Sequence, residues 1–307
     1  METQSEAEPY KITRKQVRAV VERFRVEDGR KFRLTDFDPG DTAGHLMSKK
    51  QARGLLDVGV QNLADAQEKL YAQNRWSVLC VFQAMDAAGK DGTIKHVMSG
   101  VNPQGVQVTS FKQPGPEDLD HDFMWRIWRA LPERGRIGIF NRSHYEEVLV
   151  ARVHPEIIEK QRLPPELVRK RIWKQRLASI AAIEEYLAGQ GTLILKFFLH
   201  LSKEEQKRRV LDRLDEPTKN WKFNPSDLSE RGYWDEYMAA YAAAIAATAA
   251  PHAPWFVVPA DNKWFTRLVV VAAINDALGR LGLAYPTVGK DQMAALAAAR
   301  ATLTGEG

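Results

Sequence analysis

The stretch QAMDAAGKDGTIKHV, residues 83–97, decides how the rest of the chain is read. It departs at two positions from the phosphate-binding pattern G-x-x-x-x-G-K-[ST]: Ala84 stands for the first glycine and Asp91 for the hydroxyl residue. On its N-terminal side RWSVLCVFQ (75–83) is a continuous apolar run of strand length, as expected for a strand covered on both faces. On its C-terminal side Ile94, Val97 and Met98 fall at i, i+3 and i+4, the buried stripe of a helix starting near Gly89. Strand, glycine-containing turn and helix are the context such a loop requires. Backbone N–H groups at the helix start would face an anion, Gly89 permits close approach, and Lys90 can reach between phosphates. Thr93 offers a hydroxyl, three residues after Lys90 and so off the usual metal-ligand position.

Two carboxylates, Asp86 and Asp91, flank this cradle. They would repel a phosphate unless a divalent cation sat between them, and Mg²⁺ favours one or two carboxylates with phosphate oxygens and water. The bland alternative has Asp91 capping the helix and Asp86 facing solvent.

Four more apolar runs have strand length: VQVTSF (106–111), RIGIF (136–140), LILKFFLHL (193–201) and PWFVVPA (254–260). Helical patterns separate them: residues 48–73 with Leu55, Val58, Leu63 and Leu70; 116–131 with Leu119, Phe123, Ile127 and Leu131; an S-x-x-E start at Ser202 and Glu205; and the alanine-rich 238–250. Alternating strands and helices predict a three-layer α/β fold around a mostly parallel, five-stranded sheet. Residues 1–45 read as an N-terminal extension, 46–285 as the folded domain, and 286–307 as a tail, helical or frayed.

Composition narrows the function. With 44% apolar residues among 307, the chain can bury a substantial core, and a formal charge of +5 suits an enzyme with an anionic ligand. The single cysteine, Cys80, cannot form an internal disulfide. The charged N-terminus has no apolar stretch resembling a signal peptide, and no segment reaches the roughly 18 apolar residues of a membrane span. A cytoplasmic enzyme, acting without membrane or nucleic acid, is the expectation. The histidines form no metal-ligand spacing, and no Ser-His-Asp arrangement is suggested.

The third strand runs into FNRSHYEEV. The carboxyl end of a strand beside a phosphate loop is where α/β sheets bind ligands. Asn141 stands where many such kinases hold an aspartate; Arg142 suits bidentate phosphate recognition, and Glu146 and Glu147 come next. On the bland reading the two glutamates are solvated helix residues. Segment 159–176 holds seven Lys/Arg against two Glu, suited to a polyanion or to a solvated face. Segment 203–237 lies where nucleoside monophosphate kinases carry a mobile lid.

AMDAAGKDGTIKHVMSGVNPQGVQVTSFKQP, GIFNRSHYEEVLVARV, LDEPTKNWKFNPSDLSERGYWDEY and APWFVVPADNKWFTR together resemble the polyphosphate kinase 2 family, in the family's order and over most of 75–270. The odd loop is that family's own form. The resemblance implies a P-loop kinase fold with a helical lid at about 203–237, dependence on Mg²⁺ (or Mn²⁺), and homodimers or homotetramers. It implies phosphoryl transfer from inorganic polyphosphate to AMP and ADP, with guanine nucleotides as further acceptors. Asp86, Lys90, Arg142 and Glu146 become the catalytic set, with Asp86 and Glu146 toward the metal. Phosphate and nucleotide contacts are expected from Ala87, Ala88, Gly89, Asp91, Gly92, Thr93 and Asn141, and from Arg208, Arg209, Lys219, Trp221 and Lys222 in the lid. F-N-R-S-H-Y-E is similar to the class III branch, which accepts both AMP and ADP. The competing expectation is an ATP-dependent kinase of the same fold.

Overall fold

A computed structural model describes residues 14–43, 49–218 and 220–305. In chain order the elements begin with α1 (Arg14–Phe24), β1 (Arg25–Val26), α2 (Lys49–Gln73), β2 (Ser77–Gln83), α3 (Lys90–Val97) and β3 (Val106–Ser110). Next come α4 (Pro116–Leu119), α5 (Trp125–Trp128), β4 (Ile137–Asn141), α6 (Val150–Val153), α7 (Glu156–Lys160) and α8 (Ile172–Gly189). The chain closes with β5 (Thr192–His200), α9 (Lys203–Asp215), α10 (Ser226–Gly232), α11 (Trp234–Thr248), β6 (Trp255–Pro259), α12 (Lys263–Leu278) and α13 (Lys290–Gly305).

All five expected strands form, ordered β6-β5-β2-β4-β3 and mutually parallel. The sheet nevertheless has six strands. Residues 25–26, placed by sequence in an extension, pair antiparallel with β6, Arg25 opposite Phe256. This edge forms because α1 is part of the core: Val20, Val21 and Phe24 are buried, and Phe24 meets Phe265 edge-to-face at 5.9 Å. A two-residue strand carries no periodicity, so sequence pattern could not register it.

β2 is buried along its whole length, and β5 along all but its first two residues, as continuous apolar runs require. Phe82, Phe197 and Phe256 stack across three neighbouring strands, with ring centroids 4.9 and 5.3 Å apart. Each such pair contributes about 0.5–1.5 kcal/mol beyond area burial. α1, α2, α3 and α12 cover this face; α8 and α11 cover the other.

The expected helix over 116–131 is broken into α4 and α5. Asp118 accepts from Gly115 N at 2.9 Å and Asp122 from Met124 N at 2.8 Å, so short acidic side chains cap the start of each short helix separately and favour a break between them. On α2, Leu63 and Leu70 are buried, but Val58 is exposed and Ala52 and Gln67 complete the inner face. α13 is helical and exposed throughout. Among the described residues no helix is long and apolar enough to cross a membrane.

Candidate active site

The turn after β2 is shaped by left-handed backbone at Ala87 (φ +65°) and Gly89 (φ +98°). A glycine adopts this freely, whereas the alanine does so at a cost of about 1–2 kcal/mol. The surrounding structure supplies that energy from below. Arg209, on α9 and almost fully buried, donates Nη1 to Ala87 O (3.2 Å) and Ala88 O (2.9 Å). Its Nη2 donates to Ala260 O (2.6 Å) and Asp261 O (3.0 Å), and its Nε to Glu205 (2.7 Å). Gln206 adds a bond to Asp86 O at 3.1 Å. Arg209, expected as a substrate contact, clamps the loop here: one guanidinium donates to the four carbonyls of Ala87, Ala88, Ala260 and Asp261.

Lys90 Nζ folds back onto Ala84 O at 2.9 Å. Burial, above all, holds its pKa below the ordinary lysine range; Arg142 adds to this while Asp86, Glu146 and Asp91 oppose it. Thr93 is buried and Asp91 sits exposed in the first turn of α3, where its charge complements the helix dipole. Asp91 accepts from Asn141 Nδ2 at 2.7 Å, which joins two of the three positions where the chain departs from common kinase patterns.

Arg142 comes directly after β4 and is also left-handed (φ +62°). It donates Nη2 to Asp86 (3.0 Å) and Nη1 to Glu146 (3.4 Å), and Glu146 accepts from Gln83 Nε2 at 3.0 Å. Glu146 foremost, then Asp86, raises the Arg142 pKa against its partial burial. Asp86, Lys90, Arg142 and Glu146, separated by up to 60 residues of sequence, therefore converge. Glu146 and Glu147 are not solvated helix residues. They lie in a short 3₁₀ turn, His144–Glu147, opened by Ser143, whose Oγ accepts from Tyr145 N at 3.1 Å. Glu147 is buried against Arg176 (3.1 Å), Arg126 (3.5 Å) and Gln161 (2.6 Å). Arg176, the last cation of the basic segment 159–176, is thus internal.

Beside this group opens a cleft of about 530 Å³. Its floor is Ala84–Asp86 with Arg142 and Glu146; one wall carries Phe111 and Arg126, and α6–α7 and the lid close the rest. Arg126 lies over the Phe111 ring at 5.6 Å and donates to Lys112 O at 2.7 Å. Across the mouth, Glu230 of α10 meets His154 Nε2 at 2.9 Å and accepts from Tyr237 OH at 2.5 Å. Sequence reasoning did not single out Phe111, Arg126, His154 or Glu230; the position of Phe111 directly after β3 was the one local signal.

The lid is helical, and among its described residues Arg209 reaches the loop while Arg208 turns to the surface. Arg208 is exposed and forked onto Glu205 (2.6 and 2.7 Å) and Asp212 (2.9 Å). Trp221 is exposed, Lys222 lies in a 3₁₀ turn, Asn220–Lys222, and Lys219 lies outside the described residues.

Among the described residues no group of three or more His, Cys, Asp and Glu is placed to hold a metal ion by itself. Asp86 and Glu146 are two oxygen donors facing one cleft, the number and type that magnesium takes when phosphates complete its shell.

A parallel sheet, a phosphate loop after its central strand and a helical segment over an adjoining cleft define a phosphotransferase of the P-loop kinase class. The profile of the polyphosphate kinase 2 family matches residues 46–281. The chain is 52% identical over 264 residues to an ADP-polyphosphate phosphotransferase of Rhodopseudomonas palustris, covering 86% of this chain and 91% of that one. It is 44% identical over 266 residues to an AMP/ADP-polyphosphate phosphotransferase of Meiothermus ruber, covering 87% and 96%. The crystal structure of polyphosphate kinase 2 from Arthrobacter aurescens superposes with a TM-score of 0.84 at 41% identity, covering 94% of this chain and 97% of that one. The chain belongs to the polyphosphate kinase 2 family.

Proposed function

We propose that this chain transfers the terminal phosphoryl group of inorganic polyphosphate to AMP and ADP, giving ADP and ATP. One observation carries the reading: the loop residues Asp86 and Lys90 converge with Arg142 and Glu146 at the floor of a nucleotide-sized cleft. The similar proteins named for ADP- and AMP/ADP-polyphosphate phosphotransfer identify the donor and acceptors. A similar protein from Pseudomonas aeruginosa is named for GDP, so guanine nucleotides belong to the test.

In the reaction an oxygen of the acceptor's terminal phosphate attacks the terminal phosphorus of the polymer. The P–O–P anhydride bond breaks, and its electron pair leaves with a polyphosphate one unit shorter. Lys90 exchanges the Ala84 carbonyl for the transferring group, and Arg142 places two parallel donors on it. The loop N–H groups, held in shape by Arg209, face the donor phosphates. Phe111 and Arg126 orient the acceptor, and the lid over the cleft excludes the water that would compete for the phosphoryl group. Asp86 and Glu146 are the residues that would hold Mg²⁺ or Mn²⁺. That ion supplies neutralisation of phosphate charge. Assembly as a homodimer or homotetramer and a cytoplasmic location complete the proposal.

The test is chromatography of products from AMP, ADP and GDP, each incubated with polyphosphate and Mg²⁺. Polyphosphate-dependent ADP and ATP are expected, and excess chelator should abolish them. Turnover with ATP as the sole effective donor would overturn the reading.

A further inference from the structure

Beneath the turn that carries Arg142 and Glu146 lies a set of buried polar side chains with no part in the chemistry above. Lys196 interrupts the apolar run of β5 and is fully buried. Strand alternation puts it on the face of Ile194 and Phe198, toward α8 and α11. Its ammonium donates to Glu184 of α8 (2.5 Å), Thr248 O (2.7 Å) and Tyr145 Oη (3.1 Å). The Tyr145 hydroxyl is 2.8 Å from Glu184 Oε1 and 2.9 Å from Thr248 Oγ1, which also accepts from Trp255 Nε1 at 2.9 Å. His144 Nε2 lies 3.5 Å from the same Glu184 oxygen. Burial lowers the Lys196 pKa, while Lys196 and His144 outweigh the burial that would raise Glu184.

Stability does not account for this arrangement. Charges cost much to bury, and well-packed apolar replacements of a buried ion pair are commonly neutral or stabilising. What the pair does touch is Tyr145, between Ser143 and Glu146 in a turn whose first residue, Arg142, holds an unfavourable left-handed backbone. Such a conformation persists only where its surroundings over-determine it. On the other side the turn is fixed through Glu147 by Arg176 and Gln161.

We propose that Lys196 and Glu184 are positioning residues: through the Tyr145 hydroxyl they pin the turn that aims Arg142 and Glu146 into the cleft. The proposal rests on the reading of Arg142 and Glu146 as reacting-site groups. The stack of Tyr145 on Trp255 (4.8 Å) survives in Tyr145→Phe, which removes only the hydroxyl. Misaiming by a fraction of an ångström should lower kcat about tenfold, with KM for nucleotide and polyphosphate within about twofold of wild type. The urea midpoint should fall only modestly, because Lys196 keeps Glu184 and the Thr248 carbonyl. Amide hydrogen exchange in the ligand-free protein should quicken about tenfold or more across residues 142–148 and stay unchanged in β2. The double variant Lys196→Met/Glu184→Leu removes both charges together, so neither is left buried alone, and should give the same pattern. Unchanged exchange at 142–148 in both variants, or a kcat that falls only with the folded fraction, would overturn the proposal. A wild-type protein without polyphosphate-dependent turnover would instead overturn the proposed function, and the exchange measurement would still decide the positioning role.

Discussion

Replacing Arg209 by alanine separates two roles that look alike in sequence. The guanidinium satisfies the carbonyls of Ala87, Ala88, Ala260 and Asp261 and neutralises Glu205. Hydrogen bonds from a charged donor are worth about 1.5–3 kcal/mol each, but the carbonyls share one group and partly rehydrate after its loss. Glu205 keeps Arg208, so the cost is that of buried carbonyls left without a donor, about 1–3 kcal/mol each before rehydration, and Arg209→Ala should destabilise the ligand-free protein by about 4 kcal/mol. For a chain of this size that lowers the melting temperature by on the order of 10 °C. Urea unfolding without ligand is the assay: the midpoint should fall with the slope unchanged. Arg209→Lys, able to reach only some of the carbonyls, should lie between. The clamp is refuted if Arg209→Ala unfolds within about 1 kcal/mol of wild type while its KM for polyphosphate rises sharply. That outcome would make Arg209 the substrate contact that the lid motif suggests.

Lys90→Ala should lower kcat at least about tenfold with little change in the urea midpoint, since under the proposed chemistry its ammonium, held here by one carbonyl, would stabilise developing phosphate charge. Glu146→Gln keeps the size but weakens the contact with Arg142; comparison of kcat/KM at saturating polyphosphate should show a greater loss with AMP than with ADP. Equal losses would make Glu146 a general metal or positioning residue. Burial holds the His200 pKa at about 4 against an ordinary 6.5, despite the opposing Asp261. Its contribution is therefore complete above pH 6.5 and lost as pH falls toward 4: about 2 kcal/mol by pH 5 and about 3 kcal/mol in full. Urea midpoints across that range should decline, and decline less in His200→Gln.

The parts of the fold legible in the sequence are those with local causes. Continuous apolar runs between turns marked β2 through β6, and a glycine followed by a lysine marked the phosphate loop, because strand, turn and helix there lie adjacent in sequence. Convergence of Asp86 with Arg142 and Glu146 was also within reach, since the ends of neighbouring parallel strands must meet. Arg208 and Arg209 show where local reasoning stops. They are consecutive cations on one helix, turned about 100° apart, so one forks onto surface carboxylates while the other plugs into the loop's carbonyls. Only the tertiary position of α9 decides which is which. Lys196 and Glu147 were hidden for the same reason: their partners Glu184 and Arg176 lie on α8, distant in sequence.

These pairings change the electrostatic reading of the site. By sequence, the basic segment and the lid surround a polyanion with positive charge; in the fold Arg176, Arg208 and Arg209 are each committed to carboxylates or carbonyls. At the cleft floor Arg142 is held by two carboxylates, and Lys90 by one carbonyl. An incoming phosphate therefore meets Asp86 and Glu146 together with the arginine it needs. Under the proposed chemistry Asp86 and Glu146 would hold a divalent ion, whose charge would offset their repulsion of phosphate and leave the Arg142 donors available to the transferring group. On that proposal a metal requirement and the dependence on Glu146 should be coupled. Glu146→Gln should raise the Mg²⁺ concentration needed for half-maximal rate, whereas Lys90→Ala should lower the rate at every Mg²⁺ concentration without moving that midpoint.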